Sequence, residues 1–161
     1  MAFSFALRAP SNEPNPSNVA LARATLAVLR DLPAAFVVAQ WEVARALDQL
    51  GRPADEVIEQ PEDGTYLDTA GVMESAAPLL RRHGIATVTV VAKPGLHLVR
   101  ARSLVRRYGF APRRARIEPV PYDRSGLNTQ WWTRGRVRLF IYSVGQLAGR
   151  WRLVQHALRR Q

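Results

Sequence analysis

Between Thr87 and Phe110 the chain reads TVTVVAKPGLHLVRARSLVRRYGF: a β-branched run, a Lys-Pro-Gly turn and a basic helical pattern, in that order. A short apolar run bounded by turn residues predicts a buried strand over Thr87–Ala92. The spacing of Leu98, Ala101, Val105 and Tyr108 then predicts a helix with those four on one face. His97 and Arg100 fall one turn apart, off that face. Backbone N–H groups at a helix start favour anions, so this pair predicts a phosphate or carboxylate site. His97, with an ordinary pKa of about 6.5, is the candidate acid or base, or a donor to a phosphoryl oxygen. Arg100 can fork onto an anionic oxygen pair. The plainer alternatives are a buried histidine satisfied by backbone and a solvated arginine.

The same alternation recurs along the chain. Strands are predicted at Phe3–Leu7, Ala35–Ala39, Val57–Gln60, Thr87–Ala92 and Arg116–Val120. Helices are predicted near Val19–Leu29 with Ser17 or Asn18 as N-cap, at Trp41–Leu50 stopped by Gly51, from Thr65 to Arg82 stopped by Gly84, after Pro94, and from Asn128 onward. Five such pairs in 161 residues, 47% of them hydrophobic, predict one α/β domain over residues 1–161: a three-layer sandwich on a mainly parallel five-stranded sheet. Ligands of such sheets sit outside the carboxyl ends of the strands. That edge would gather Ser11 and Asn12 from the polar loop after the first strand, Gln40 after the second, Asp68 and Thr69 at the third helix, and Lys93 after the fourth strand. Asp68 has a structural rival role, because Thr65-Tyr66-Leu67-Asp68 reads as a capping box. Lys93 is the only lysine beside 22 arginines, and a loop lysine is commonly just solvated.

Several chemistries are excluded by what the sequence lacks. There is no cysteine, hence no disulfide, thiolate metal site or cysteine nucleophile. No G-x-G-x-x-G turn, Walker loop or G-x-S-x-G elbow occurs, and His83, His97 and His156 have no metal-ligand spacing. The opening MAFSFALRAPSNEP has no basic n-region, so no secretory leader is expected. Leu139–Gly149 falls far short of the roughly 20 residues that span a bilayer. The cytoplasm is the expected location.

Charge is unevenly distributed. Residues 1–80 hold 5 Arg and 11 acids, whereas residues 81–161 hold 17 Arg and 1 Lys against 2 acids. A basic second half of this kind suits an acidic protein, RNA or an anionic membrane surface, although an arginine-rich genome would leave the same trace. The terminal helix aligns Val137, Ile141, Val144, Ala148, Trp151 and Leu158, a stripe expected to pack on the domain. Asn128-Thr129-Gln130-Trp131-Trp132 is expected to anchor that helix rather than to cover a pocket.

Two segments together resemble the YdcF-like (SanA/ElyC-like) bacterial domain family. There a strand is followed by Tyr-His and then Arg-Ala at a helix start; Leu96-His97 and Arg100-Ala101 stand at the same spacing. The family's upstream Asn/Asp-Thr motif is matched by Asp68-Thr69, whereas Ala70-Gly71-Val72 replaces the Glu and Asn that follow it, and Ala39-Gln40-Trp41-Glu42 replaces its Gly-rich loop. The likeness covers residues 66–110. It implies a Rossmann-like fold with a polar pocket and a phosphorylated or nucleotide-like ligand, S-adenosylmethionine among them. In that pocket His97 and Asp68 would be the catalytic pair, if catalysis occurs, and Arg100, Thr69, Lys93, Asn12, Ser11 and Gln40 the ligand contacts. The rival reading is a non-catalytic interaction module using the basic second half.

Overall fold

The computed structural model describes residues 1–8, 13–61 and 67–141. Ser11, Asn12, Thr65, Tyr66 and the C-terminal positions Val144, Ala148, Trp151 and Leu158 therefore lie outside the described residues.

Helix α1 spans Pro16–Asp31 and starts earlier than the sequence pattern predicts. Its N-cap is Asn15, whose side chain accepts from the Asn18 amide, with Pro16 just inside the helix start, where a missing N–H costs nothing. The chain continues through β1 (Val38–Gln40), α2 (Trp41–Gln49), β2 (Glu56–Ile58), α3 (Thr69–Arg82), β3 (Thr87–Val90), α4 (Leu96–Arg107) and β4 (Ala111–Arg114). A 3-10 turn follows at Trp131–Arg134, and residues 136–141 are helical.

The α/β character is as expected, but the five-stranded sheet sandwich is not formed. Helices dominate, and the strands make two short parallel pairs, β1 with β2 and β3 with β4. Ala2 bridges them, with isolated parallel contacts to Ala39 and Val91. The predicted first strand stops there for a local reason. The Ser4 amide donates to the Gln40 side chain at 3.1 Å and the Phe5 amide to Asn18 Oδ1 at 2.8 Å, so neither joins a ladder. Ala6 then turns the chain with φ 72°. The predicted fifth strand, Arg116–Val120, lies outside any ladder, and Ala111–Arg114 takes its place beside β3.

Side chains along the strands alternate between two cores. Phe3, Val38, Val90 and Ala92 join Val72, Met73, Leu80, Leu98 and Val105 from α3 and α4. Ala2, Val37, Ala39 and Val91 join Leu21, Ala22, Val43 and Leu47 from α1 and α2. β1 and the end of β3 are thus covered on both sides, which explains their apolar sequence, whereas β4 is largely exposed. Full burial of each large aliphatic or aromatic side chain contributes about 1.5–3 kcal/mol, so the two cores supply most of the stabilisation. The terminal stripe is corrected: Leu139 packs on the second core, while Val137, Phe140 and Ile141 are exposed.

Candidate functional site

Because β1, β2 and β3 run parallel, the segments that leave them emerge on one edge, together with Ser4 beyond the Ala2 bridge. Asp68 stands at the start of α3 and is its N-cap, so the helix opens at Thr69 rather than Thr65. Its Oδ1 accepts from the amides of Ala70 at 3.0 Å and Gly71 at 2.9 Å. Its Oδ2 accepts from Arg100 Nη2 at 2.6 Å, across to the first turn of α4. Both side chains are about half exposed, at 43% and 53%. Thr69 is the first helical residue beside them and is partly buried.

The start of α4 is open. Its N-cap, Gly95, has φ 105° and ψ −145°, a conformation closed to side-chain-bearing residues, and no side chain caps the helix. Leu96 there is 58% exposed. One residue on, His97 turns inward, with its ring edge-on to Phe3 at 6.4 Å between centroids and tilted against Phe5 at 5.6 Å. Its Nδ1 is buried without a hydrogen-bond partner. Burial, helped by the charges of Arg100 and Lys93, lowers its pKa to about 4, so the imidazole is neutral at pH 7.

Lys93 also points inward. Its Nζ donates to the Val120 carbonyl and, at 3.0 Å, to that of Pro121. It sits 3.8 Å from the Tyr122 ring centroid and 4.9 Å from that of Phe5. Desolvation, with a smaller contribution from Arg136, lowers its pKa to about 8. This lysine holds segment 120–122 against the end of β3. Gln40 is likewise buried and joins two segments: its Oε1 accepts from the Ser4 amide and its Nε2 donates to the Leu67 carbonyl at 3.5 Å. The structure thus brings Asp68, Thr69 and Arg100 together at the surface, sets His97 behind them, and gives Lys93 and Gln40 backbone partners.

Glu42, in the first turn of α2, is a buried acid. Its Oε2 has no partner. Burial lifts its pKa to about 7, against the pull of its own amide, the Ser4 hydroxyl and Arg45. A Glu just inside a helix start ordinarily reads as a solvated partner of the helix dipole. Nothing local shows that Ser4, Asn15 and Asn18 will close over this region. The cavity beside Glu42, bordered by Arg8, Asn15, Trp41 and Arg45, measures only about 10 Å³. That holds at most one water. Trp41 is covered instead by Arg45, whose guanidinium lies 4.5 Å from the ring centroid.

Asn128 is fully buried and bonded to the Asp123 carbonyl, Thr133 and the Gln130 amide. Segment 128–134 is therefore fixed by its own buried hydrogen bonds, and most of the helix that it is expected to anchor lies outside the described residues. Among the described residues no three His, Asp or Glu side chains gather as metal ligands, and no helix is long and apolar enough to cross a membrane. Comparison of the chain with protein-family models, with curated proteins and with solved structures gives no match.

Proposed function

We propose that this chain is a binding domain for a compact phosphorylated small molecule, which docks across the starts of α3 and α4. The observation that carries the reading is the Asp68–Arg100 contact at 2.6 Å beside an uncapped helix start. Asp68 engages one Nη2 donor of Arg100, leaving the rest of the guanidinium fork for a phosphoryl oxygen. The Leu96 and His97 amides of α4 add positive potential at the same place, the Leu98 amide being taken by the Lys93 carbonyl at 3.1 Å. The neutral His97 imidazole, packed against Phe3 and Phe5 with its Nδ1 unpartnered, belongs to the first turn of the same helix. The likeness of residues 66–110 to YdcF-like domains supports the same placement. The proposal is one of binding, since an imidazole held neutral down to about pH 4 is a poor general acid at pH 7. Thermal-shift titration tests it: ribose 5-phosphate raises Tm, ribose does not, and Arg100→Ala removes the shift while the variant stays folded. No shift at millimolar concentration, or an equal shift in Arg100→Ala, refutes it.

A second reading has its own observation. Val137, Phe140 and Ile141 are exposed at helical spacing i, i+3 and i+4, with exposed Arg136 and Arg138 on either side of Val137. That pattern suits the surface of an anionic membrane. Sedimentation with phosphatidylglycerol vesicles, but not with phosphatidylcholine vesicles, would support it. Equal behaviour with both would remove it.

A further inference from the structure

At the amino edge of the strands, opposite Asp68 and Arg100, lies a cavity of about 340 Å³. This is many times the volume beside Glu42 and falls within the range of small-molecule sites, roughly 300–1,000 Å³. Val28 and Leu29 of α1 line it, together with Ile85 and Val88 around the start of β3, and these make a hydrocarbon lining. Its polar side chains are Thr25, Thr87, Thr89 and Arg113. Thr89 on β3 and Arg113 on β4 are register partners of the parallel pair, so both side chains leave the same face, and both border the cavity. Arg113 is exposed and has no ion-pair or hydrogen-bond partner among the described residues. A guanidinium without an ion-pair partner at the rim of a largely apolar cavity suits an anionic head on a hydrocarbon body, of which a monocarboxylate is the simplest.

We infer that this cavity is a second binding site, which takes a medium-chain carboxylate with its tail between α1 and the start of β3 and its head on Arg113 and Thr89. Filling the cavity buries apolar surface, which supplies affinity and a negative heat-capacity change, while the Arg113 fork selects the anion. The site is independent of the carboxyl edge and stands whether or not phosphorylated compounds bind there.

Isothermal titration with octanoate, octanol and octylammonium tests the inference. Octanoate should bind best, with a negative heat-capacity change, and should shift the methyl resonances of Val28 and Ile85. Arg113→Gln should weaken octanoate by at least about tenfold, close to 1.4 kcal/mol, and leave octanol unchanged. Leu29→Trp, which fills the cavity, should abolish binding; if that variant does not fold, the Val28 and Ile85 shifts in the wild-type chain decide. No octanoate binding at millimolar concentration, equal binding of octylammonium, or methyl shifts confined to other residues would overturn the inference.

Discussion

The carboxylate of Asp68 serves two helices: Oδ1 caps α3 through the Ala70 and Gly71 amides, and Oδ2 meets Arg100 of α4 at 2.6 Å. The two roles are separable. Asp68→Ala removes both and should cost about 0.5–2 kcal/mol in urea unfolding, as expected for loss of an N-cap. Asp68→Asn keeps the cap and loses only a half-exposed ion pair, so its cost should stay within about 1 kcal/mol. Equal losses in the two variants would show that the ion pair, rather than the cap, carries the stability.

Glu42 should make stability fall on the alkaline side. Its folded pKa, about 7, lies above its ordinary value of 4.5, so its contribution is complete below pH 4.5 and is lost as pH rises through 7. Glu42→Gln mimics the protonated form. Relative to wild type it should gain stability between pH 5 and pH 8, by up to about 3 kcal/mol for a shift of this size. Unfolding curves at the two pH values give the comparison, and a pH-independent difference would contradict the buried carboxyl.

His97 acts in the opposite direction. Its folded pKa lies below the ordinary 6.5, so its contribution is present above pH 6.5 and is lost as pH falls through about 4. The imidazole proton resonance should titrate near pH 4 by NMR. A midpoint near 6.5 would place the ring in water rather than against Phe3 and Phe5.

Lys93→Met should loosen segment 120–122 without unfolding either core, because it deletes the bonds to the Val120 and Pro121 carbonyls. Hydrogen bonds from a charged donor contribute about 1.5–3 kcal/mol each, so the loss should be at least about 1.5 kcal/mol. Hydrogen exchange should speed up around residues 120–125 while α2 and α3 remain protected. Unchanged exchange there would mean that Tyr122 and the Arg8–Asp123 ion pair hold the segment unaided.

Gly95→Ala isolates backbone strain, since an added Cβ would meet no atom within 4 Å. The cost should be about 1–3 kcal/mol, from the positive φ alone. A neutral effect in thermal unfolding would mean that the α4 entry relaxes freely.

What could be read from the sequence is what neighbouring residues decide among themselves. Leu98, Ala101 and Val105 announce the buried face of α4 because helical periodicity is local, and Gly51 and Gly84 mark where α2 and α3 end with φ 79° and 64°. Asn15 and Asp68 were harder to choose as caps, because Ser17, Asn18 and Thr65 offer the same chemistry a few residues away. Strand extent was legible only in part, as at the Thr87 start of β3, since a ladder depends on what distant groups claim each amide. Phe3–Leu7 has the composition of a strand, yet Gln40 and Asn18 take the Ser4 and Phe5 amides and end it after the Ala2 bridge. Protonation was equally hidden. Lys93 stands in a basic, turn-rich stretch that reads as solvated and His97 reads as a site residue or a buried one, and it is chiefly burial among Phe3, Phe5 and Tyr122, with help from neighbouring cations, that lowers their pKa values. Helix positions and charge distribution thus follow from the chain's local order. Which polar groups lose water, and therefore which can act, was decided by contacts between segments far apart in the chain, because desolvation depends on every atom that encloses a group.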